Sequence, residues 1–122
     1  MLDEHPGVLL EATQHGDVTV VRFTQRTVLD PDTIEAVGAR LLALFRTEGR
    51  HKLALDFARV ESLTSAMLAK LIALHRAVEA DGGRLVFCGV GTFLQQIFTL
   101  CHIPQAIPIY ADQTEAVRAL SS

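Results

Sequence analysis

The chain has no tryptophan, a single tyrosine, two cysteines and, although 49% of its 122 residues are apolar, no long apolar run. Its apolar stretches are broken by Lys70, His75 and Arg76 well before the roughly 20 residues that a membrane-spanning helix needs. No contact with a membrane is expected. Residues 1–7 carry Asp3 and Glu4 and no apolar core, which argues against a secretory leader and makes the cytoplasm the expected compartment. Positive charge is also scarce: 11 Lys and Arg face 14 Asp and Glu, a net −3, and the cations are scattered singly. Without a basic stripe the electrostatic footprint of nucleic-acid binding is missing. Linkers rich in Pro, Gly or Ser are absent too, so residues 1–122 read as one domain, with its core over about 8–120.

Catalytic and cofactor patterns are equally sparse. Ser62 and Ser65 lack the Gly-x-Ser-x-Gly frame of a hydrolase nucleophile. The loop Gly89-Val90-Gly91 runs into Thr92-Phe93-Leu94, without the third glycine of a dinucleotide site or the lysine of a triphosphate site. Cys88 and Cys101 have no CxxC spacing and are expected to act as small core hydrophobes. The five histidines fall one per segment, and no carboxylate–histidine cluster has metal spacing. No enzyme activity, cofactor or metal is expected.

What is present is a regular alternation of strand and helix patterns. Val8–Thr13 and Val18–Phe23 read as a hairpin around His15-Gly16-Asp17. Asp30, Pro31 and Asp32 suit a helix start, and Ile34, Val37, Leu41, Leu44 and Phe45 recur at helical spacing until Gly49. Leu53–Phe57 is a short buried strand with one charge, Asp56. A long helix over 66–80 carries Met67, Leu71, Leu74 and Val78 on one arc and stops at Asp81-Gly82-Gly83. Arg84–Cys88 is a further strand. Phe93, Leu94, Ile97, Phe98 and Cys101 form the expected apolar face of a third helix, ended by His102-Ile103-Pro104. Ile107–Tyr110 fits an edge strand, since it holds Pro108, and Asp112 caps a closing helix. The expected fold is α/β: a mixed sheet opened by a hairpin, continued by parallel strands and covered by about four helices.

Two places leave alternatives open. Ser65 stands where a loop enters the long helix, so its hydroxyl can serve as a helix cap or as the acceptor of a phosphate held by the free N–H groups there. Leu68, Ile72 and His75 form a second stripe on that helix, displaced from the centre of the core face by about 100°. They are either a contact patch or the flank of a helix lying on a sheet.

The stretch Leu55-Asp56-Phe57, Val60, Leu63-Thr64-Ser65, Leu68-Ala69 and then Gly82-Gly83 resembles the STAS domain of anti-sigma factor antagonists. That family reads Leu-Asp-Leu, a small loop, and Asp-Ser-Ser/Thr-Gly-Leu-Gly at the start of a long helix ending in Gly-Gly. Ser65 stands at the family's phosphorylated serine, while Thr64 replaces the Asp, Ala66 the second hydroxyl residue and Met67 the glycine. Upstream, Leu29-Asp30 and Thr33 match the family's Leu-Asp and Thr loop. Downstream, Phe98, Ile103 and Ile109-Tyr110 match its tail. The resemblance implies a non-enzymatic module that binds an anti-sigma factor or serine/threonine switch kinase through Asp30, Thr33, Thr64, Ser65, Leu68, Ile72 and His75. It implies phosphorylation at Ser65, with Thr64 as a substitute acceptor. The alternatives are a non-switching scaffold subunit of a larger STAS assembly or homo-oligomer, and a small-ligand or nucleotide-binding domain.

Overall fold

The computed structural model describes residues 10–28, 31–46 and 48–121. Strand β1 (Leu10–His15) turns through Gly16 and Asp17 into β2 (Val18–Phe23), with His15 paired to Val18 and Leu10 to Phe23. The turn is tighter than the expected one: β1 keeps its register as far as His15, leaving a two-residue loop with Gly16 at φ 63°. Val8, expected to open the strand, lies outside the described residues.

From β2 the chain passes through β3 (Thr27–Val28) into helix α1 (Pro31–Arg46), then β4 (Lys52–Asp56), β5 (Ser62–Leu63) and helix α2 (Ser65–Ala80). After β6 (Arg84–Cys88) come α3 (Thr92–Leu100), α4 (Ile103–Ala106), β7 (Ile109–Tyr110) and α5 (Gln113–Ser121). The main sheet has the order β1-β2-β4-β6-β7. Its first pair is antiparallel and the rest are parallel, as helical crossovers demand. Pro108 precedes the edge strand β7 and leaves no central ladder broken.

Alternation along the strands divides the core in two. Val21, Phe23, Leu53, Leu55, Leu85 and Phe87 point to the face covered by α1, α2 and α3, whereas Val18, Val20, Ala54, Val86 and Cys88 meet Ala116 and Leu120 of α5. Four phenylalanines knit the first layer: Phe57 stacks on Phe23 at 4.9 Å and meets Phe87 and Phe98 edge-on at 4.9 and 5.6 Å.

Asp56 is the charge that strand β4 carries into this interior, and it is only 5% exposed. Its Oδ1 accepts from the backbone N–H of Ala58 at 2.9 Å and its Oδ2 from Nε2 of Gln113 at 2.5 Å, tying α5 to the end of β4. Such a buried carboxylate persists only when its oxygens find donors. Gly89 passes so close that a Cβ there would lie 2.5 Å from Oδ1, and its φ of 67° is itself a glycine conformation.

Three expectations change around α3. Phe93 is exposed, because the buried stripe is centred on Leu94 and Phe98 and position 93 lies roughly 120° from that centre at about 100° per residue. Cys101 is exposed as well, whereas Cys88 is buried as expected. The helix stops at Leu100, so Cys101 becomes its C-cap and never completes the apolar face. His102 then takes the left-handed conformation at φ 60° and starts the short α4, where a simple termination was expected.

Candidate functional site

The loop into α2 is built by local hydrogen bonds and one small parallel pair. β3 and β5 pair Thr27 with Ser62 and Val28 with Leu63, a second sheet that sequence periodicity did not foreshadow. Arg26 reinforces it: its carbonyl accepts from the N–H of Glu61 at 2.8 Å, and its guanidinium meets Glu61 Oε2 at 2.8 Å. The approach to α1 is thereby laid beside the entry to α2.

At that entry Thr64, not Ser65, is the N-cap. Its backbone is extended and its Oγ1 accepts from the N–H of Met67 at 3.2 Å, while its carbonyl accepts from the N–H of Leu68 at 3.1 Å. Ser65 is the first helical residue, exposed, and its hydroxyl has no hydrogen-bond partner among the described residues. With the cap already supplied, the cap reading of Ser65 falls. The first turn of α2 carries no acidic side chain, so the helix itself brings no counter-charge to the positive end of its dipole.

Ser65, Thr64 and Ala66 line a hollow of about 230 Å³ together with Pro31, Ile34, Glu35 and Lys70. Lys70 Nζ stands 2.8 Å from Glu35 Oε2 and bridges α1 to α2 across it. This pair was not legible in advance, because Glu35 and Lys70 lie on different helices and meet only once β3 and β5 have set the helices side by side. Both side chains are solvated, so the pair is worth little on its own.

The other expected contact residues are dispersed. Thr33 sits half-buried in the first turn of α1, and Asp30 lies outside the described residues. Leu68 is 9% exposed and belongs to the core cluster, so it is a flank of the buried stripe. Ile72 is half-buried, and His75 lies 3.6 Å from Glu79 one turn on, with its side chain mostly covered. These three follow the flank of α2 away from α1, since Lys70, Ala73 and Ala77 take the α1 side. Among the described residues no three His, Cys, Asp or Glu side chains gather as a metal site, and no helix is long and apolar enough to cross a membrane.

A hairpin-opened mixed sheet with a capped, hydroxyl-bearing helix entry beside the first crossover defines a class of small α/β domains. The family model described as "Mlab, STAS domain" matches residues 10–107, and the chain belongs to the STAS domain family. Comparison with curated proteins found no match. Among solved structures, an anti-sigma factor antagonist from Mycobacterium paratuberculosis superposes with a TM-score of 0.81 at 21% identity, covering 99% of this chain and 100% of that one. An anti-sigma factor antagonist (STAS) domain protein from Planctomyces limnophilus gives 0.79 at 23% identity, over 91% and 96%. The Bacillus cell fate determinant SpoIIAA in its phosphorylated form gives 0.69 at 17% identity, over 90% and 97%. At these identities the likeness is one of fold.

Proposed function

We propose that this protein is a non-enzymatic binding module of bacterial regulation, that it takes an anti-sigma factor or serine/threonine switch kinase on the surface around Thr64 and Ser65, and that a phosphate on Ser65 releases that partner. The observation that carries the reading is the division of labour at the start of α2. Thr64 holds the cap, and the Ser65 hydroxyl is exposed and uncommitted. A doubly charged phosphate there would gain from the helix N-terminus while adding repulsion and bulk to a docked partner. The solved phosphorylated form of SpoIIAA supports the reading by analogy of fold.

Thr64 in place of a carboxylate also bears on the switch. The first turn brings no negative charge of its own, and the one carboxylate in the hollow, that of Glu35, is already paired with Lys70. The proposed partner surface centres on Thr64 and Ser65, with Thr33 on the α1 side, half-buried Ile72 and His75 farther along α2 and Thr64 as the second acceptor; Leu68, buried in the core, is not part of it. Incubation with the cognate kinase and ATP, read by mass spectrometry of the peptide holding residues 64 and 65, tests the acceptor. Ser65→Asp is expected to weaken partner binding by about tenfold relative to Ser65→Ala, on the order of one lost charge-compatible contact. Equal binding by the two variants, with an unmodified peptide, would sink the switch.

A further inference from the structure

Between Arg84 and Asp112 the sequence contains no Asp, Glu, Lys or Arg, although charged residues make up 20% of the chain. That interval holds α3, whose buried stripe is Leu94 and Phe98. Its outer side is uncharged and mixed: Thr92, Gln96 and Thr99 are exposed there beside Phe93, 61% exposed, and Leu100, 80% exposed, the exposed large hydrophobics among the described residues. Phe23, Phe45, Phe57, Phe87 and Phe98 are all fully buried, which leaves Phe93 as the outlying phenylalanine. Two turns separate Phe93 from Leu100, so the pair shares one side of the helix, with half-buried Ile97 and exposed Gln96 between them. Two large apolar side chains one above the other on an uncharged exposed surface mark a face that gains from being covered.

We propose that this uncharged outer face of α3 is a self-association surface, occupied by α3 of a second copy of the chain laid antiparallel across a two-fold axis. The charge pattern selects the occupant. A partner recognised through ion pairs finds no counter-charge anywhere on the helix, whereas a second copy brings the same neutral face with its own Phe93 and Leu100. Elsewhere two molecules of net charge −3 repel, and here no formal charge is placed at the contact. The stripe is also self-complementary. In the antiparallel arrangement Phe93 of each copy meets Leu100 of the other, and Gln96 falls near the axis, where an amide can both donate to and accept from its own mate. The surface carries none of the residues of the proposed switch, so the inference is independent of that reading.

A nine-residue helix supplies a small contact. The dimer is therefore reversible, with a dissociation constant on the order of 10–100 μM. Sedimentation velocity of the full chain across that concentration range tests it, with Leu100→Lys and Phe93→Lys as separate variants, since each replaces an exposed side chain and either one alone suffices. The wild type is expected to dimerise, each variant to weaken the dimer at least tenfold with unchanged circular dichroism, and raising salt from about 0.1 to 1 M to leave the dimer intact or strengthen it. A monomer throughout, a dimer indifferent to both substitutions, or a dimer dissolved by salt would overturn the proposal. So would binding of the monomer to phosphatidylcholine vesicles that Leu100→Lys abolishes, which would assign the face to a lipid surface.

Discussion

Thr64 and Ser65 are adjacent hydroxyl residues with opposite physical roles, and the difference is one of helix position. Thr64 has extended backbone and aims Oγ1 at the N–H of Met67, whereas Ser65 already has helical geometry and points outward. Thr64→Ala is therefore expected to cost about 1 kcal/mol of stability. Ser65→Ala should change it by less than about 0.5 kcal/mol. Urea unfolding of the two variants measures both, and a larger loss for Ser65→Ala would reverse the assignment. Gly89 gives a second residue-level prediction. A methyl group there meets Asp56 Oδ1 at 2.5 Å on a backbone with φ 67°, so Gly89→Ala is expected to destabilise by about 2 kcal/mol or more, read in the same unfolding experiment.

At the scale of elements, what was legible followed from periodicity. Leu53–Phe57 and Arg84–Cys88 have apolar runs of strand length between helical patterns, and Met67, Leu71, Leu74 and Val78 mark one arc, so the parallel sheet and its long crossover could be read directly. The β3–β5 pair could not, because two residues carry no period and their partners lie far apart in the chain. The same limit hid the hollow beside Ser65, whose wall at Glu35 and Lys70 exists only after α1 and α2 are docked. Phe93 and Cys101 were misplaced because an apolar residue signals a wish for burial without saying which partner supplies it.

The tie between β4 and α5 was likewise invisible, although Asp56 announced itself as a lone charge in an apolar strand. Removing its donor with Gln113→Ala leaves a buried carboxylate under-satisfied and should cost about 1–3 kcal/mol. Hydrogen exchange should locate the damage. Amides of α5 are expected to exchange faster while those of β2 and β4 stay protected, and uniform acceleration would show that the bond supports the whole core instead.

For the whole molecule, stability should be bounded by ionisation on both sides of neutrality. Hydrogen bonds and charge from Arg22, Lys52 and Arg40 hold the carboxyl groups of Glu11, Asp17 and Glu48 below their ordinary values. Carboxylates with lowered native values contribute stability above their unfolded values and lose it as pH falls through the native ones, so Tm should decline from about pH 5 downward. These pairs sit on the surface, and salt at about 1 M should flatten that decline. Cys88 works in the opposite direction. Burial, with the negative charges of Asp56 and Asp112 behind it, pushes the thiol up from 9.0 to about 12. A raised native value favours folding nothing below the unfolded value; above it the unfolded chain ionises and the native one does not, so stability drains away from about pH 9 upward. Cys88→Ala removes that arm alone. Its Tm starts lower for the lost packing, but between about pH 8 and 10 it should fall less steeply than the wild type, while the acid limb keeps its slope. Parallel alkaline limbs in the two proteins would show that Cys88 is not the group responsible.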